Sequence, residues 1–546
     1  MKRKLALLLC GIMCVSLLAG CGNGDSESSG KDGQTTLTIG IPQNANVEDY
    51  DTNAYTLWLE ETTGYNLEFE LFASATDDNK SQISTRIAGN KKLPDILWNF
   101  SLGSEVIADY GKDGYFLDLA SYYDDKEKSA IFWDRLAAAY PEEKDQNYII
   151  QRLTNRETGA MYAFPRIEKT VIDTMQYQVY INQAWLDKLG LAMPSDTESL
   201  YNVLKAFATK DPNGNGKADE IPLLARNANA GSGQGIGWLT SMFIGVNEAT
   251  FFNVDDNGQL YLPWITEEYR QALIYINKLQ SEGLLPESCW NMEVPDMKNL
   301  INPTDGVNTV GVFVGHPSLI LEVGNEANYE YEAMPLWGYA VSVADAYENS
   351  CFITADCENP DAAWDLFMTM CSEEGSMRQR YGEKGVDWVE ADEGTTSFIG
   401  RDAEFKLVND IWGTQNNQIW GVVNATILIN SENETRQVSE DDSKWDQHKL
   451  KIMGDAYRYF TAAAEAKPLT VMPTLNYTEE EKELTKVERN NCATYINTSR
   501  AKFCCGTNGA DPSDDKQWNE YLAKLKSLGM EKWMTQAQEI YDATLK

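Results

Sequence analysis

Between residues 36 and 98 strand-like and helix-like segments alternate, and that alternation constrains the fold more than any other feature of the sequence. Residues 36–41 (TLTIGI) alternate in the period of two that a half-buried strand requires. Residues 55–62 (YTLWLEET) read as a helix, 65–71 (YNLEFEL) as a second strand, 81–89 as a second helix and 94–98 (PDILW) as a short buried strand. A βαβαβ succession predicts a parallel sheet with helices on both faces. Ligands of such sheets bind outside the carboxyl ends of the strands, where Trp98, Asn99 and Phe100 fall. Further along, residues 269–283 end on a glycine suited to a helix C-cap, and 360–373 set Ala363, Trp364, Phe367 and Met370 along one helix face. Near the C-terminus Trp518, Tyr521, Leu522, Leu525 and Leu528 recur at helical spacing, which assigns them to a core.

A chain of 546 residues has room for about three or four packing units at roughly 150 residues each, which excludes a small disulfide scaffold. Its 46 Lys+Arg against 83 Asp+Glu leave a net charge of −37. Such a surface repels phosphate backbones and excludes nucleic acid as a partner class. The 15 Trp and 27 Tyr argue against an acidic disordered chain and supply many flat, amphipathic faces.

The N-terminus predicts a location. Lys2, Arg3 and Lys4 precede an apolar run over 5–18, shorter than the roughly 20 residues a membrane span needs and fitting a secretory leader. The run closes on Leu18-Ala19-Gly20-Cys21, which resembles the bacterial lipobox, in which the cysteine is acylated and becomes the new N-terminus. Residues 1–20 are therefore expected to be a signal peptide, and 21–36 the lipidated Cys21 with a flexible polar tether. The expected location is the outer face of the cytoplasmic membrane, held by lipid alone. Cleavage removes three basic residues, so the mature charge is 43 − 83 = −40. Of ten cysteines, Cys10 and Cys14 leave with the leader and Cys21 takes lipid; the seven others are an odd number without a CxxC zinc pattern. Cys351 and Cys357 are a possible bridge, free buried thiols the alternative.

The strongest local motif is residues 211–220, DPNGNGKADE. Asp211, Asn213 and Asn215 place side-chain oxygens at positions 1, 3 and 5 of an EF-hand-type loop, and Gly216 makes the sharp turn at position 6. Lys217 would offer its carbonyl at position 7. The usual glutamate at position 12 is replaced by Pro222, leaving Asp219 and Glu220 to close the shell. The predicted cofactor is a structural Ca2+; a metal-free turn rich in Asp and Asn is the alternative. Residues 231–237 (GSGQGIG) lack the context of a nucleotide loop and read as a flexible loop. Catalysis has little support. The two histidines, His316 and His448, lie far apart, and no G-x-S-x-G or H-E-x-x-H motif occurs. Paired carboxylates arise by chance among 83 acids, so composition alone leaves a glycosidase open.

Several segments together resemble the bacterial extracellular solute-binding lipoproteins of carbohydrate ABC importers, in particular the large subgroup that includes alginate-oligosaccharide-binding proteins. They are Leu93-Pro94-Asp95-Ile96, residues 159–165 (GAMYAFP), 180–191 (YINQAWLDKLGL), 381–388 (YGEKGVDW) and 518–529, with the 211–220 loop at the place of that subgroup's calcium loop. Asn182 and Gln183 depart from the charged pair usual in the third segment. The resemblance implies an α/β fold of two discontinuous lobes with a ligand cleft between them. The first lobe would hold 37–165 with 350–400, and the second, helix-rich lobe 166–349 with 401–546. It implies a non-enzymatic monomer that captures a carbohydrate, an oligosaccharide, and hands it to the permease subunits of an ABC transporter.

Aromatic rings stack on the apolar faces of sugars, and polar side chains bond their hydroxyls. On that basis the ligand-binding candidates are Trp98 and Asn99 after the Pro94-Asp95 strand, Phe164 and Arg166 at the first crossing, and His316 after the strand 310–314, with Trp238, Trp337 and Trp388 further off. The competing readings are a secreted enzyme acting on polysaccharide, and a binding or sensor lipoprotein for peptides, opines or other solutes on the same scaffold.

Overall fold

The computed structural model describes residues 33–168, 175, 177–226, 235–248, 250–322, 324–341, 346–409, 411, 415–421, 427–438, 445–472 and 477–544. The leader, Cys21 and residues 231–234 lie outside them. Two sheets organise the chain. Their strands are β1 (Thr36–Pro42), β2 (Asn66–Phe72), β3 (Ile96–Leu97), β4 (Phe164–Glu168), β5 (Val179–Asn182), β6 (Ile221–Leu224), β7 (Val310–Val314), β8 (Tyr331–Ala333), β9 (Ala346–Ile353) and β10 (Ile427–Leu428).

The first sheet runs β10-β4-β9-β3-β1-β2. As the alternation predicts, β1 is parallel to both β2 and β3. Gly40 permits this closeness, because a Cβ there would meet the Phe72 ring, Leu97 and Pro94 at about 3 Å. The buried carboxylate of Asp95 ties β3 to β1. The amide and hydroxyl of Thr38 donate to it at 2.8 and 2.7 Å, and the Asp95 amide donates back to the Thr38 hydroxyl at 2.9 Å. The sheet is mixed rather than wholly parallel, because β9 enters antiparallel between β3 and β4.

The second sheet runs β8-β5-β7-β6. All five residues of β7 (VGVFV) are buried, as a strand covered on both faces requires. Asn182, the departure from the expected charged pair, caps the helix Gln183–Leu189 by accepting from the Trp185 amide at 2.9 Å, while its own amide donates to Glu330 at 2.8 Å.

Each sheet has its own core, one around Ile39, Trp98, Phe164 and Phe367, the other around Tyr180, Trp238, Trp264 and Phe313. A further cluster gathers Met175 and Ala340 with Phe398, Leu450 and Phe460, where the chain passes between the sheets. It passes three times: β4 to β5, β8 to β9, and from the segment after β10 to the helix Trp445–Ala466.

Residues 415–421 and 427–438 join the side of the first sheet, whereas the sequence resemblance implies that most of 401–546 lies in the second lobe. Strand β10 pairs with β4, and the Asn53 side chain donates to the Ile419 carbonyl at 3.1 Å. The largest tie is a bidentate pair between Arg135, on the helix Ala130–Ala139, and Glu432, both bonds 2.5 Å. Arg135 also donates to the Ile427 carbonyl. Sequence patterning misses this partnership because its members stand 297 residues apart. All seven described cysteines are free thiols, so Cys351 and Cys357 form no bridge. Burial pushes the Cys371 thiol up to about 12 and that of Cys289 to about 11, leaving them inert near neutrality.

Removing one partner of a buried pair leaves the other charge without compensation. Glu432→Ala is therefore expected to destabilise the protein by about 3–5 kcal/mol, read as a lower midpoint in chemical unfolding. An exposed pair such as Lys516–Glu520 should contribute under about 1 kcal/mol in the same assay.

Candidate functional site at the facing ends of the two sheets

The topology fixes which ends of the sheets meet. The chain leaves the first sheet at the carboxyl end of β4, which is also the carboxyl end of β1, β2 and β3. It enters the second at the amino end of β5, beside the carboxyl ends of β6, β7 and β8. Both sheets therefore turn their carboxyl ends toward the crossings, the place where open α/β sheets receive ligands.

The candidates divide at this point. Trp98 is 1% exposed and belongs to the first core, with its ring 5.7 Å from Phe367 and 6.1 Å from Trp420. The ladder continues one residue past β3, since the Trp98 amide donates to the Gly40 carbonyl at 2.8 Å, and this turns the indole inward. Phe164 is a second correction: it is buried in the same core, 5.1 Å from Phe367 and 5.7 Å from Phe132. Trp238 is a third, buried in the second core on the helix Gly237–Ser241. Trp388 is half-buried away from the crossings, on the small sheet that Trp388–Glu390 forms with Phe405–Leu407. Its ring lies 5.9 Å from Phe405, and its indole donates to the Gly382 carbonyl at 3.1 Å.

Asn99, Arg166, His316 and Trp337 are half-buried at the facing ends. Asn99 has φ 62°, a left-handed turn that ends the β3 ladder and separates its side chain from that of Trp98. His316 follows Gly315, whose amide donates to the Gln178 carbonyl at 2.9 Å. Trp337 follows β8, in a segment that lies on the helix Gly237–Ser241 through the Tyr339 amide and the Ser241 carbonyl, 2.8 Å. Its indole nitrogen is buried and has no hydrogen-bond partner.

The sequence reading passed over a second set at the same end of the second sheet. Tyr177 precedes β5, and Arg226 follows β6, where burial lowers its pKa against the opposing charge of Glu293. Glu248 pairs with Arg500 at 2.8 Å, Arg500 being 2% exposed. The last residues of the Gly-rich segment hold this set in place, since the Ile236 amide donates to the Arg226 carbonyl at 2.7 Å. A glutamate and an arginine 252 residues apart carry no local signal; only the glycines beside them did.

The 211–220 loop folds as a tight, oxygen-rich turn. The amides of Gly214 and Gly216 donate to Asp211 at 2.9 and 3.1 Å, and the amide of Lys217 to Asn215 at 2.7 Å, so the chain curls about its own side-chain oxygens. Gly214 and Gly216 take the left-handed φ of 76° and 74° that this curl requires. Glu220 Oε1 is buried without a partner, and burial, with Asp211 and Asp219 adding repulsion, raises the pKa of Glu220. An oxygen-lined turn with a destabilised carboxylate fits a hard cation. Among the described residues no group of three or more His, Cys, Asp or Glu stands close enough to hold a metal unaided, so the asparagine and backbone oxygens would have to complete the shell.

No family model matches the chain. It is 23% identical over 506 residues to the fructooligosaccharide ABC transporter substrate-binding protein FusA of Streptococcus pneumoniae, covering 89% of this chain and 86% of FusA. It is 25% identical over 336 residues to lipoprotein LipO of Bacillus subtilis, 61% of this chain and 58% of LipO. FusA with kestose superposes at a TM-score of 0.70 with 20% identity, over 94% of this chain and 99% of FusA. A FusA EF-hand mutant with fructo-nystose gives 0.69, again with 20% identity and 94% and 99% coverage. The alginate-binding protein AlgQ2 without calcium ion gives 0.57 with 19% identity, over 94% of this chain and 98% of AlgQ2. The chain is a homologue of ABC-transporter solute-binding proteins. The two-lobed α/β fold that the sequence resemblance implies is the one found, and these relatives are binding proteins, not enzymes.

The corrected placement of Trp98 has a consequence. Trp98→Ala should empty a volume in the first core and cost about 3–5 kcal/mol in unfolding free energy. A variant as stable as the wild type would contradict that placement.

Proposed function

We propose that this protein captures an oligosaccharide between its lobes and delivers it to the permease of an ABC importer. The observation that carries the proposal is the pair of carboxyl sheet ends facing one set of crossings, in a chain homologous along most of its length to an oligosaccharide-binding protein. In this reading Asn99 and Arg166 contribute from the first lobe, and His316 and Trp337 from the second. A ring stacks on the Trp337 indole, and the unpartnered indole N–H gives a ligand hydroxyl a donor. Lobe closure removes water from the bound ligand, and the closed form is the one the permease receives. Cys21 carries the lipid that keeps the monomer at the outer face of the membrane, a reading supported by the lipoprotein LipO among the relatives.

The test is titration calorimetry of the mature chain against neutral and acidic oligosaccharides, with reducing ends assayed in parallel. Saturable binding without turnover is expected. Trp337→Ala should weaken binding by about 1–3 kcal/mol, roughly tenfold to a hundredfold, at little cost in stability. Release of reducing ends that is lost on mutating a single carboxylate would overturn the reading in favour of a glycosidase.

The same proposal places a structural Ca2+ on Asp211, Asn213, Asn215, Lys217, Asp219 and Glu220, supported by the loop geometry and by the EF-hand of FusA. Calcium at a hundred times its Kd should add about 2.7 kcal/mol of stability. Without it, the raised pKa of Glu220 means that the folded state holds the proton more tightly than the unfolded state does. Stability is then lost as pH rises through that raised value. The rise in Tm on adding calcium should therefore be larger at neutral pH than in mild acid, and Asp211→Ala should abolish it. An unchanged Tm with chelator, and no metal in the purified protein, would contradict the site.

A further inference from the structure

One part of the second lobe is not absorbed by the reading above. Around the Glu248–Arg500 pair three buried oxygens have no hydrogen-bond partner: Tyr177 Oη, Tyr269 Oη and Glu248 Oε2. Arg500 bonds Glu248, and the charges of both act on each of the two phenols. A folded chain seldom leaves such an oxygen unfilled, and three around a single ion pair mark a place that a water or a ligand hydroxyl can complete. An absent side chain lets the start of a helix pass this close to the pair without displacing it. A Cβ on Gly237 would lie 2.7 Å from Glu248 Oε1 and 2.8 Å from Tyr177 Oη. Gly237 opens a helix, a conformation any residue adopts, so this glycine serves space and not backbone freedom. Tyr177 also stands two residues before the first residue of β5, at the end of the sheet that faces the crossings.

The chemistry of the filler follows from the groups it meets. Burial drives both phenols well above their ordinary pKa, so they stay protonated and donate. The carboxylate of Glu248 only accepts. A group that gives a hydrogen to Glu248 and takes one from a phenol is a hydroxyl. A ligand carboxylate can do only the second, and would set a negative charge against Glu248 in a place shielded from water.

We infer that Glu248, braced by Arg500, and the hydroxyl of Tyr177 form a subsite for a neutral, hydroxyl-bearing sugar ring, and that a uronate is excluded from it. The inference rests on the interlobe carbohydrate reading and adds the class of sugar to it. Gly237 keeps the approach open, and Arg500 is a positioning residue that holds one carboxylate oxygen so that the other points to the ligand.

The test uses the full mature chain and calorimetry with neutral fructo-, manno- and xylo-oligosaccharides beside oligogalacturonate and oligoalginate. Tyr177→Phe removes a hydroxyl that has no partner in the unliganded fold, so its Tm should hold or rise. Its affinity for the neutral sugar that the wild type binds should fall about tenfold or more. Gly237→Ala would set a Cβ 2.7 Å from Glu248 Oε1, the oxygen that accepts from Arg500, so it should displace that carboxylate and produce a similar loss. The wild type should bind the uronates at least about tenfold more weakly than the neutral sugar. Wild-type affinity in both variants, or a drop in Tm without a change in affinity, overturns the subsite and leaves a trapped water as the filler. Uronate binding as tight as neutral binding overturns it as well. A wild type that binds no member of the panel overturns the interlobe carbohydrate reading, and the subsite with it.

Discussion

The antiparallel pairing of β4 with β9 is the contact on which the architecture depends. One strand is the last the chain lays down before it leaves for the second sheet, and the other is the first it lays down on return, from Phe164 opposite Cys351 to Glu168 opposite Ala346. Their ladder anchors both ends of that long excursion at one edge of the first core. It also determines which ends of the two sheets stand at the crossings, where the proposed site lies. Closing so long a loop costs entropy that grows only slowly with its length, and the five paired positions together with the cores beneath them offset it. The Arg135–Glu432 pair performs the corresponding task for the third passage, binding the segment that carries β10 to the first lobe.

Local periodicity made the first half of the first sheet legible. Residues 36–41 and 65–71 alternate as strands must, and the PDILW segment is the buried third strand, with Asp95 bonded to Thr38. The same periodicity says nothing of β9, β10 or the place of 415–438, because those depend on partners hundreds of residues away. The site shows the same division. Position after a strand pointed to Asn99 and His316, and both are half-buried at the sheet ends. It misled for Trp98, because the ladder runs one residue beyond the strand and inverts which of two neighbours faces the core. Phe164 was chosen for its place at a crossing and Trp238 as an aromatic further off, and aromatic residues next to strands are more often core than contact. The Tyr177, Glu248 and Arg500 set was invisible, since its members share no spacing; the glycines at 235 and 237 were the one trace of it.

The cleft is built differently from the rest of this acidic surface. Most charge on the protein lies on exposed, mutually paired or solvated side chains such as Lys384–Glu390 and Lys526–Glu531, which keep the chain soluble and add little stability. At the facing ends the polar groups are half-buried or buried, and Trp337 Nε1, Tyr177 Oη and Glu248 Oε2 are buried atoms without a hydrogen-bond partner. Preorganised polar groups without internal partners are costly in a core and useful in a cleft, because a ligand that completes them gains what the unliganded fold forgoes. This difference, rather than the abundance of tryptophan, is the basis for the site residues proposed above.

The central claim is that two lobes close on a carbohydrate. Small-angle X-ray scattering of the mature chain, titrated with the tightest-binding oligosaccharide of a defined panel, tests it most directly. The account predicts a smaller radius of gyration that saturates at one ligand per chain, with the ligand recovered intact. A radius unchanged at saturation, or a ligand recovered cleaved, would contradict it.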